Sequence, residues 1–551
     1  MTERIFSLRI THYALSIAFL LTPVACVQVV FKLPEEADAN FIMNIGRYVV
    51  EHGIPHVDPF TIHDGIQLVA QQWLSGVIFW QVYENFGVTG FKLTDFFFGA
   101  VMILLHWRLC LSISGNKFVA LGLSFFVALV TSTSIVPRPQ IFSTTILLSE
   151  IFLLEKFTQS HETKFLLPIP LLSALLVNFH AAMWLMLFVL ATPFFFVKDA
   201  RHAKILSATL AASFLCAFVN PYGFDAMTYV LRSYGVDIIN GHVSEMFAPS
   251  AQNFNGKVFY LTEAVLIFTF AKVKLPWRYV FLSGGLTILA LMHVRNLLPF
   301  YLVATVPLAC AWRNFSVEKI FPNDEKFPNR VPLTILFLLL TAVNTVAITM
   351  ILQDGLPEFN LPTGILFFVS TAAVLYNLLI FKRDGSLLHP AILLRKNFSL
   401  LVTALIVCVI FAVTIADKKD DTEEIFTPAI EFILQSERPE NVSLWIKQGG
   451  GGLAGTFGVK YYIDARSEVF LPSNSGLSKN ILAEYLDLLN GKIYYADFFA
   501  RYEFTHIIVT DEMPLLFNAL SRDANFEVVY MRKHVGDKKT VTCKIFVPSG
   551  D

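Results

Sequence analysis

Long apolar stretches recur along most of this chain and constrain its fold more than any other feature. A helix of about 20 apolar residues crosses the roughly 30 Å hydrocarbon core of a bilayer. The stretches begin near residues 11, 90, 117, 140, 165, 182, 204, 257, 279, 297, 331, 362 and 397. They predict a polytopic α-helical membrane protein with about 13 transmembrane helices. The composition agrees, because 55% of the residues are hydrophobic and only 15% are charged.

The charge balance and the missing motifs exclude several classes of protein. The formal net charge is −1, whereas a surface that binds nucleic acid leaves an excess of basic residues. The sequence has no Cys/His pair at zinc-finger spacing, no Gly-Lys-Ser/Thr phosphate loop and no Gly-x-Ser-x-Gly elbow. The sequence predicts no metal ligands and identifies no cofactor. It does not exclude a requirement for a divalent metal.

Basic residues concentrate in alternate loops and predict the orientation, because basic loops stay on the cytoplasmic side. The N-terminal Arg4 and Arg9 and the loops at 198–204 and 272–278 belong to the basic set. An odd number of spans then places the N-terminus in the cytoplasm and everything after residue 416 outside. The opposite, less basic loops hold the unusual residues, so any chemistry is expected on the outer face.

The chain changes character after residue 416, where a charged run at 418–424 replaces the apolar pattern. Helical patterns at 477–489 and 514–520 alternate with short β-rich runs at 442–446, 461–463, 506–510, 527–530 and 541–547. This alternation predicts a small soluble α/β domain. We therefore divide the chain into a transmembrane region, 1–416, and an extracytoplasmic C-terminal domain, 417–551.

The outer loop at 33–89 follows the first span and is predicted to carry two juxtamembrane helices. Asp38 stands where a helix would begin, and Phe41 and Ile45 recur after it at helical spacing. A second helix at 72–86, with Trp73 and Trp80, would return the chain to the membrane surface.

Several local strings in the outer loops resemble those of a known family. A long first outer loop with an acidic residue after the first span looks like the GT-C superfamily of membrane glycosyltransferases, and the strings are similar to a group of bacterial GT-C-type proteins. The strings are Glu36-x-Asp38 with Gly46, His52 to Phe60, Gln72-Trp73-Leu74, Arg138-Pro139-Gln140, Asn178-Phe179-His180, Asn220-Pro221-Tyr222-Gly223, Ser244-Glu245, Arg295-Asn296, and Gly451 to Arg466.

The resemblance implies a donor sugar on a polyprenyl phosphate and a glycan, lipid or protein acceptor at the outer face of a bacterial inner membrane. Such transfer needs a base for the acceptor hydroxyl and cations for the leaving phosphate. We assign the catalytic role to Asp38, with Glu36 as the second choice. Arg138, Arg295 and Arg232 are assigned to the donor phosphate, because guanidinium groups match phosphate oxygens. Pairing with nearby carboxylates such as Glu245, or contact with lipid headgroups, is the alternative for these arginines.

Further residues of the same strings are candidates for substrate binding, and several have a structural alternative. Asn178 and His180 could cap a helix end, the Asn220 to Gly223 string could simply form a turn, and Glu245 could form a salt bridge. The four glycines at 449–452 are explained better by a tight turn than by a phosphate-binding nest. The candidates are Asp58, Trp73, Asn178, His180, Tyr222, Glu245 and Asn296.

The sequence therefore predicts a membrane glycosyltransferase of the cell envelope that contacts membrane lipids and no nucleic acid. The alternative is a transporter or a non-catalytic GT-C-like scaffold for envelope assembly. Transporters place ionisable groups near the middle of the membrane and often show paired repeats. This chain has most of its polar features at one face and no clear repeat, which favours the enzyme.

Overall fold

The computed structural model describes residues 16–27 except 18 and 26, and residues 37–197, 199–233, 235–315, 422–535 and 540–549. Glu36, most of the first predicted span and the spans predicted near residues 331, 362 and 397 lie outside the described residues.

The chain between residues 37 and 315 is mainly helical, with a loop at 53–72 between the first two helices. The α-helices are α1 (Ala37–His52), α2 (Trp73–Ser114), α3 (Lys117–Thr131), α4 (Gln140–Ser160), α5 (Ile169–His180), α6 (Trp184–Ala191), α7 (Ala200–Cys216), α8 (Phe224–Met227), α9 (Tyr229–Ser233), α10 (Asp237–Asn240), α11 (Phe254–Lys272), α12 (Trp277–Met292), α13 (Leu297–Pro299) and α14 (Val306–Ala311). Short 3₁₀ turns at Ala181–Met183, Ser244–Met246 and Val294–Asn296 and a π-helical turn at Phe300–Ala304 connect some of these helices.

Four helical stretches within these ranges are long and apolar enough to cross a membrane: Trp73–Ser114, Lys117–Ser134, Thr163–Phe195 and Val294–Ala311. Helix α12 is also apolar but shorter. The spans predicted near residues 165 and 182 thus fall in one stretch, which is interrupted at Ala181–Met183. The prediction of a mainly helical chain with several apolar helices is confirmed, and the total of about 13 spans stays a prediction.

A glycine divides α2 into two portions. Gly87 has φ 57° and ψ −151°, a backbone conformation that residues with a Cβ atom rarely adopt. The first portion therefore ends at Phe86, where the predicted second juxtamembrane helix also ends. The kink lets the two portions run at different angles.

Helices α1 and α2 cross in close backbone contact. A Cβ at Gly46 would lie 2.0 Å from the carbonyl oxygen of Gly76, and one at Gly76 would lie 2.6 Å from the carbonyl oxygen of Ile42. Only glycine allows this approach. The crossing fixes α1, and thereby Asp38 in its first turn, relative to the membrane helices.

The C-terminal segment, residues 422–549, contains a five-stranded mixed sheet. The strands are β1 (Ser443–Trp445), β2 (Lys460–Tyr461), β3 (His506–Thr510), β4 (Phe526–Val535) and β5 (Thr540–Pro548), in the order β2-β1-β3-β5-β4. Strand β1 pairs in parallel with β2 and β3, and β5 pairs antiparallel with β3 and β4. The helices are α15 (Thr422–Leu434), α16 (Gln448–Thr456), α17 (Pro472–Ser475), α18 (Ile481–Leu489), α19 (Tyr495–Tyr502) and α20 (Pro514–Leu520).

The outer loop joins this sheet at its β2 edge. Thr61 forms a parallel bridge with Tyr461, and the amide of Ile62 donates to the carbonyl oxygen of Tyr461 at 3.0 Å. Helix α1 also contacts α16, because Asn44 Nδ2 donates to the carbonyl oxygen of Gly452 at 2.7 Å. The loop and the C-terminal segment therefore pack as one continuous structure.

The glycine run forms neither a tight turn nor a nest, because it lies in helix α16. A Cβ at Gly451 would lie 2.1 Å from the carbonyl oxygen of Ile463, and one at Gly455 would lie 2.6 Å from Asn44 Nδ2. The glycines let α16 lie directly against two neighbouring backbones. The tight-turn interpretation was wrong, and the reason is packing between elements that a local pattern does not contain.

Candidate functional site

Asp38, Arg138 and Glu245 form an ion-pair network between the first turn of α1, the residues before α4 and the Ser244–Met246 turn. Arg138 Nη2 lies 3.3 Å from Asp38 Oδ2, and Arg138 Nη1 contacts Glu245 Oε1. The three side chains keep 30%, 20% and 36% of their surface exposed for Asp38, Arg138 and Glu245 respectively. They are distant in sequence, so the fold assembles this group.

Two short segments present Arg138 and Glu245. Arg138 lies between two prolines immediately before α4, so it stands at the N-terminal end of that helix. Glu245 lies on the Ser244–Met246 turn, which is hydrogen-bonded to the residues that follow α12. His293 Nδ1 is 2.7 Å from the carbonyl oxygen of Met246, and the amide of Val294 donates to the carbonyl oxygen of Phe247 at 2.9 Å.

Arg295 lies beside this network with its charge uncompensated by an ion pair to any described residue. Its side chain is half-buried, and Nη1 is 3.7 Å from Met246 Sδ, a weak acceptor. Arg138 and Arg295 therefore contact adjacent residues of the Ser244–Met246 turn. An arginine in this setting is expected to attract an anion.

The pKa of Asp38 is raised above the ordinary aspartate value. Burial of the carboxyl is the main cause, and the nearby carboxylates of Glu245 and Glu468 raise the pKa further, whereas the guanidinium groups of Arg138 and Arg295 lower it. These charges show that all four side chains lie within electrostatic reach of Asp38. A carboxylate with a raised pKa is a better proton acceptor than an ordinary aspartate.

The C-terminal segment contributes Glu468 to the same region. Glu468 lies in the Ser467–Phe470 turn, and its Oε1 accepts hydrogen bonds from Gln71 Nε2 and from the Tyr229 hydroxyl, each at 3.2 Å. Sequence analysis missed Glu468, Gln71 and Tyr229. The available signal was that Glu468 follows the string ending at Arg466, two residues earlier.

Asp58 lies in a buried ion cluster between the outer loop and the C-terminal segment. Arg466 Nη1 is 2.6 Å from Asp58 Oδ1, and Arg466 Nη2 is 2.8 Å from Asp464 Oδ2. The second Asp58 oxygen accepts from the amide and hydroxyl of Thr61 at 3.1 and 2.8 Å. Both carboxylate oxygens of Asp58 thus have protein partners, which are the contacts of a structural residue. Its assignment to substrate binding stays untested.

Trp73, Asn178 and His180 lie together where α2 approaches the end of α5. Trp73 Nε1 donates to Asn178 Oδ1 at 3.0 Å, and Asn178 Nδ2 donates to the carbonyl oxygen of Val219 at 2.7 Å. His180 Nδ1 is 3.2 Å from Ser143 Oγ, and the ring lies within electrostatic reach of Arg295. Asn178 and His180 are buried, so their contact with a substrate stays a prediction.

Tyr222, Asn296 and Arg232 have intramolecular partners outside the Asp38 network. The Tyr222 hydroxyl donates to the carbonyl oxygen of Pro55 at 2.8 Å, and Asn296 Nδ2 donates to that of Leu289 at 2.8 Å. Arg232 Nη1 lies 3.5 Å from Asp225 Oδ1. The structure does not bring Arg232 into contact with Asp38 or Arg138, so its role toward phosphate rests on sequence alone.

The geometry supports proton transfer and anion binding in one place. A carboxylate with a raised pKa faces two arginines, one of which has no ion pair within the described residues. Among the residues that the structure describes, no group of three His, Cys, Asp or Glu side chains has an arrangement that could hold a metal ion.

Comparison with solved structures shows that the chain shares its fold with ArnT and with an archaeal oligosaccharyltransferase, which confirms the predicted resemblance at the level of fold. ArnT from Cupriavidus metallidurans in the apo state is similar with a TM-score of 0.58 and 10% identity, over 98% of each chain. The same protein bound to undecaprenyl phosphate has a TM-score of 0.57 and 11% identity, over 97% of this chain and 98% of that chain.

An archaeal protein shows the same similarity. The apo oligosaccharyltransferase from Archaeoglobus fulgidus has a TM-score of 0.54 and 11% identity, over 91% of this chain and 70% of that chain. No protein-family model matches the sequence, and no curated protein matches it. At these identities the similarity establishes the fold, and the reaction must be argued from the site.

Proposed function

We propose that the protein is a glycosyltransferase of the bacterial inner membrane that moves a sugar from a polyprenyl-phosphate donor to an acceptor of the cell envelope. The observation that carries this proposal is the half-buried Arg295 beside the Asp38–Arg138–Glu245 network. A base and an anion-binding arginine at one membrane-facing site are what transfer from a lipid phosphate requires. Binding of undecaprenyl phosphate by a protein of the same fold supports the donor class.

In the proposed reaction, Asp38 accepts the proton of the acceptor hydroxyl as its oxygen attacks the anomeric carbon of the sugar. The bond between that carbon and the phosphate oxygen breaks, and the phosphate leaves with the bonding electrons. Arg295 and Arg138 would stabilise the negative charge that develops on the leaving group. A single displacement of this kind inverts the configuration at the anomeric carbon. Glu36 is the alternative base.

The proposed topology has about 13 spans, a cytoplasmic N-terminus and an outer C-terminal domain at 417–551. It places Asp38, Arg138, Glu245 and Arg295 on the outer face. The acceptor would be a glycan, a lipid or a protein, and membrane lipids would surround the apolar helices.

A non-catalytic scaffold or a transporter is the rival function, and one observation favours the scaffold. Asp38, Arg138 and Glu245 pair with one another, as they would if they only stabilised the fold. A structural network has no need of Arg295, because that residue forms no ion pair within the described part of the chain. The response to removing Arg295 therefore separates the two functions.

The test is binding of undecaprenyl phosphate to the purified full-length protein, measured by native mass spectrometry or by fluorescence titration. Arg295→Gln should weaken binding by about 10-fold or more, because a charge-assisted hydrogen bond contributes roughly 1.5–3 kcal/mol. Arg108→Gln is the matched control, since Arg108 is an exposed arginine near the other end of α2. Equal affinity of wild type and Arg295→Gln, or no binding by either, would contradict the proposed donor site.

A further inference from the structure

Glu468 belongs to the C-terminal segment but is held near the proposed transfer site, which consists of Asp38, Arg138, Glu245 and Arg295. Its turn begins directly after Arg466, whose guanidinium is buried between Asp58 and Asp464. The ion cluster therefore fixes the backbone from which Glu468 extends. Its half-buried side chain points to the outer loop and to α9 through the bonds from Gln71 and Tyr229.

Gln71 connects Glu468 to the break between α5 and α6. Gln71 Oε1 accepts from the amide of Ala182 at 3.1 Å, and the Gln71 carbonyl oxygen accepts from the amide of Ala181 at 2.8 Å. These amides directly follow His180. One carboxylate thus links the C-terminal segment, the outer loop and the helix end that faces Arg295.

The side-chain hydrogen-bond partners of Glu468 in the described part of the chain are neutral groups. Gln71 is neutral, and burial together with the Glu468 charge holds the pKa of Tyr229 well above its usual range, so Tyr229 stays a neutral donor. The groups that act electrostatically on Asp38 are Arg138, Glu245, Glu468 and Arg295. Glu468 therefore adds negative charge to the site from a separate part of the chain.

We propose that Glu468 is a positioning residue for glycosyl transfer, through which the C-terminal segment holds the wall of the site and keeps a negative charge facing Asp38. The role rests on the proposed function, because it acts through Asp38 as the base. It also explains why the C-terminal segment packs so closely on the outer loop: the transfer site is complete only with that segment in place.

The experiment compares wild type, Glu468→Gln and two controls in the full-length protein. Glu468→Gln keeps an oxygen that accepts from Gln71 and Tyr229 while removing the charge. Tyr229→Phe removes one of those bonds and keeps the charge, and Glu440→Gln removes an exposed carboxylate elsewhere in the C-terminal segment. Binding of undecaprenyl phosphate is measured first, and then the pH profile of transfer from a polyprenyl-phosphate-linked sugar.

Loss of the charge has two expected effects. Undecaprenyl phosphate should bind about 2- to 5-fold more tightly to Glu468→Gln, the scale of a screened interaction between partly exposed charges. The acid limb of the transfer rate should move to lower pH, because removing a nearby negative charge lowers the pKa of Asp38. Both controls should keep the acid limb of the wild type, and Glu440→Gln should also keep its affinity.

Four outcomes are decisive. Tighter binding together with the shifted acid limb supports the proposal. A folded Glu468→Gln protein with unchanged affinity and an unchanged pH profile overturns it, as does a shift of the same size in Tyr229→Phe. If wild type binds undecaprenyl phosphate but transfers no sugar, the proposed function fails, and with it the positioning role in transfer, even where the binding change shows that Glu468 faces the phosphate.

Discussion

Replacing Gly46 by alanine tests whether the crossing of α1 and α2 sets the position of the site. The added Cβ would lie 2.0 Å from the carbonyl oxygen of Gly76 and 2.7 Å from the amide nitrogen of Val77. Both contacts involve backbone, so no side chain can rotate away. The helices must separate by about 1 Å or more before those atoms reach ordinary van der Waals distance.

The expected cost depends on this displacement. Overpacking of a close contact typically destabilises a protein by about 1–3 kcal/mol. The functional loss should be larger, because Asp38 moves with α1 relative to Arg138, and a misplacement of about 1 Å can reduce a rate by roughly 100-fold. Gly46→Ala should therefore lower both the thermal midpoint and the transfer rate, with the rate affected more.

Gly122→Ala is the matched control for this substitution. Gly122 lies within α3, and a Cβ there would meet nothing within 4 Å. Alanine in a helix interior is favoured over glycine by about 0.5–1 kcal/mol, so this variant should be as stable as wild type or slightly more so. Thermal unfolding in detergent and transfer from a lipid-linked donor are measured for all three proteins. Wild-type stability and rate in Gly46→Ala would refute the reasoning.

Three further predictions concern charge and topology. Glu245→Gln should move the acid limb of the transfer rate to lower pH, since Glu245 raises the pKa of Asp38 and a lower pKa keeps the base ionised in more acidic solution; an unchanged pH profile would contradict this. Arg466→Met should destabilise the protein by about 3–5 kcal/mol, because it leaves two buried carboxylates unpaired, whereas the 54% exposed Arg501 should cost under about 1 kcal/mol when changed to methionine; similar thermal midpoints for the two variants would be evidence against the buried cluster. A reporter active only in the cytoplasm, fused after Asp551, should stay silent, and a strong signal would overturn the proposed topology.

The sequence predicted those features that depend on local patterns. The helix that begins near Asp38 and the short β-rich runs of the C-terminal segment are recognisable from periodicity, and each run overlaps a strand of the sheet. The outer-face strings also contained Asp38, Arg138, Glu245 and Arg295, which the fold brings together. The resemblance of these strings to a known family, together with the need for a base and for cations at a phosphate, selected them.

Features that depend on tertiary packing were not predictable in this way. The glycines of α16 have the composition of a turn, and only their contact with the backbone at Ile463 explains why they are helical. The role of Asp58 also depends on tertiary packing, because its partner Arg466 lies 408 residues further along the chain. Glu468 lies in no string that a single sequence would single out, and only the packing of the C-terminal segment places it near Asp38.

The most direct test of the central claim is the release of polyprenyl phosphate from a lipid-linked sugar by wild type and Asp38→Asn. Asparagine caps a helix about as well as aspartate but cannot take a proton from a hydroxyl at neutral pH. If Asp38 is the base, the variant should be folded, membrane-inserted and slower by about 100-fold or more. A variant that releases polyprenyl phosphate at the wild-type rate would contradict the account and leave Glu36 as the candidate base.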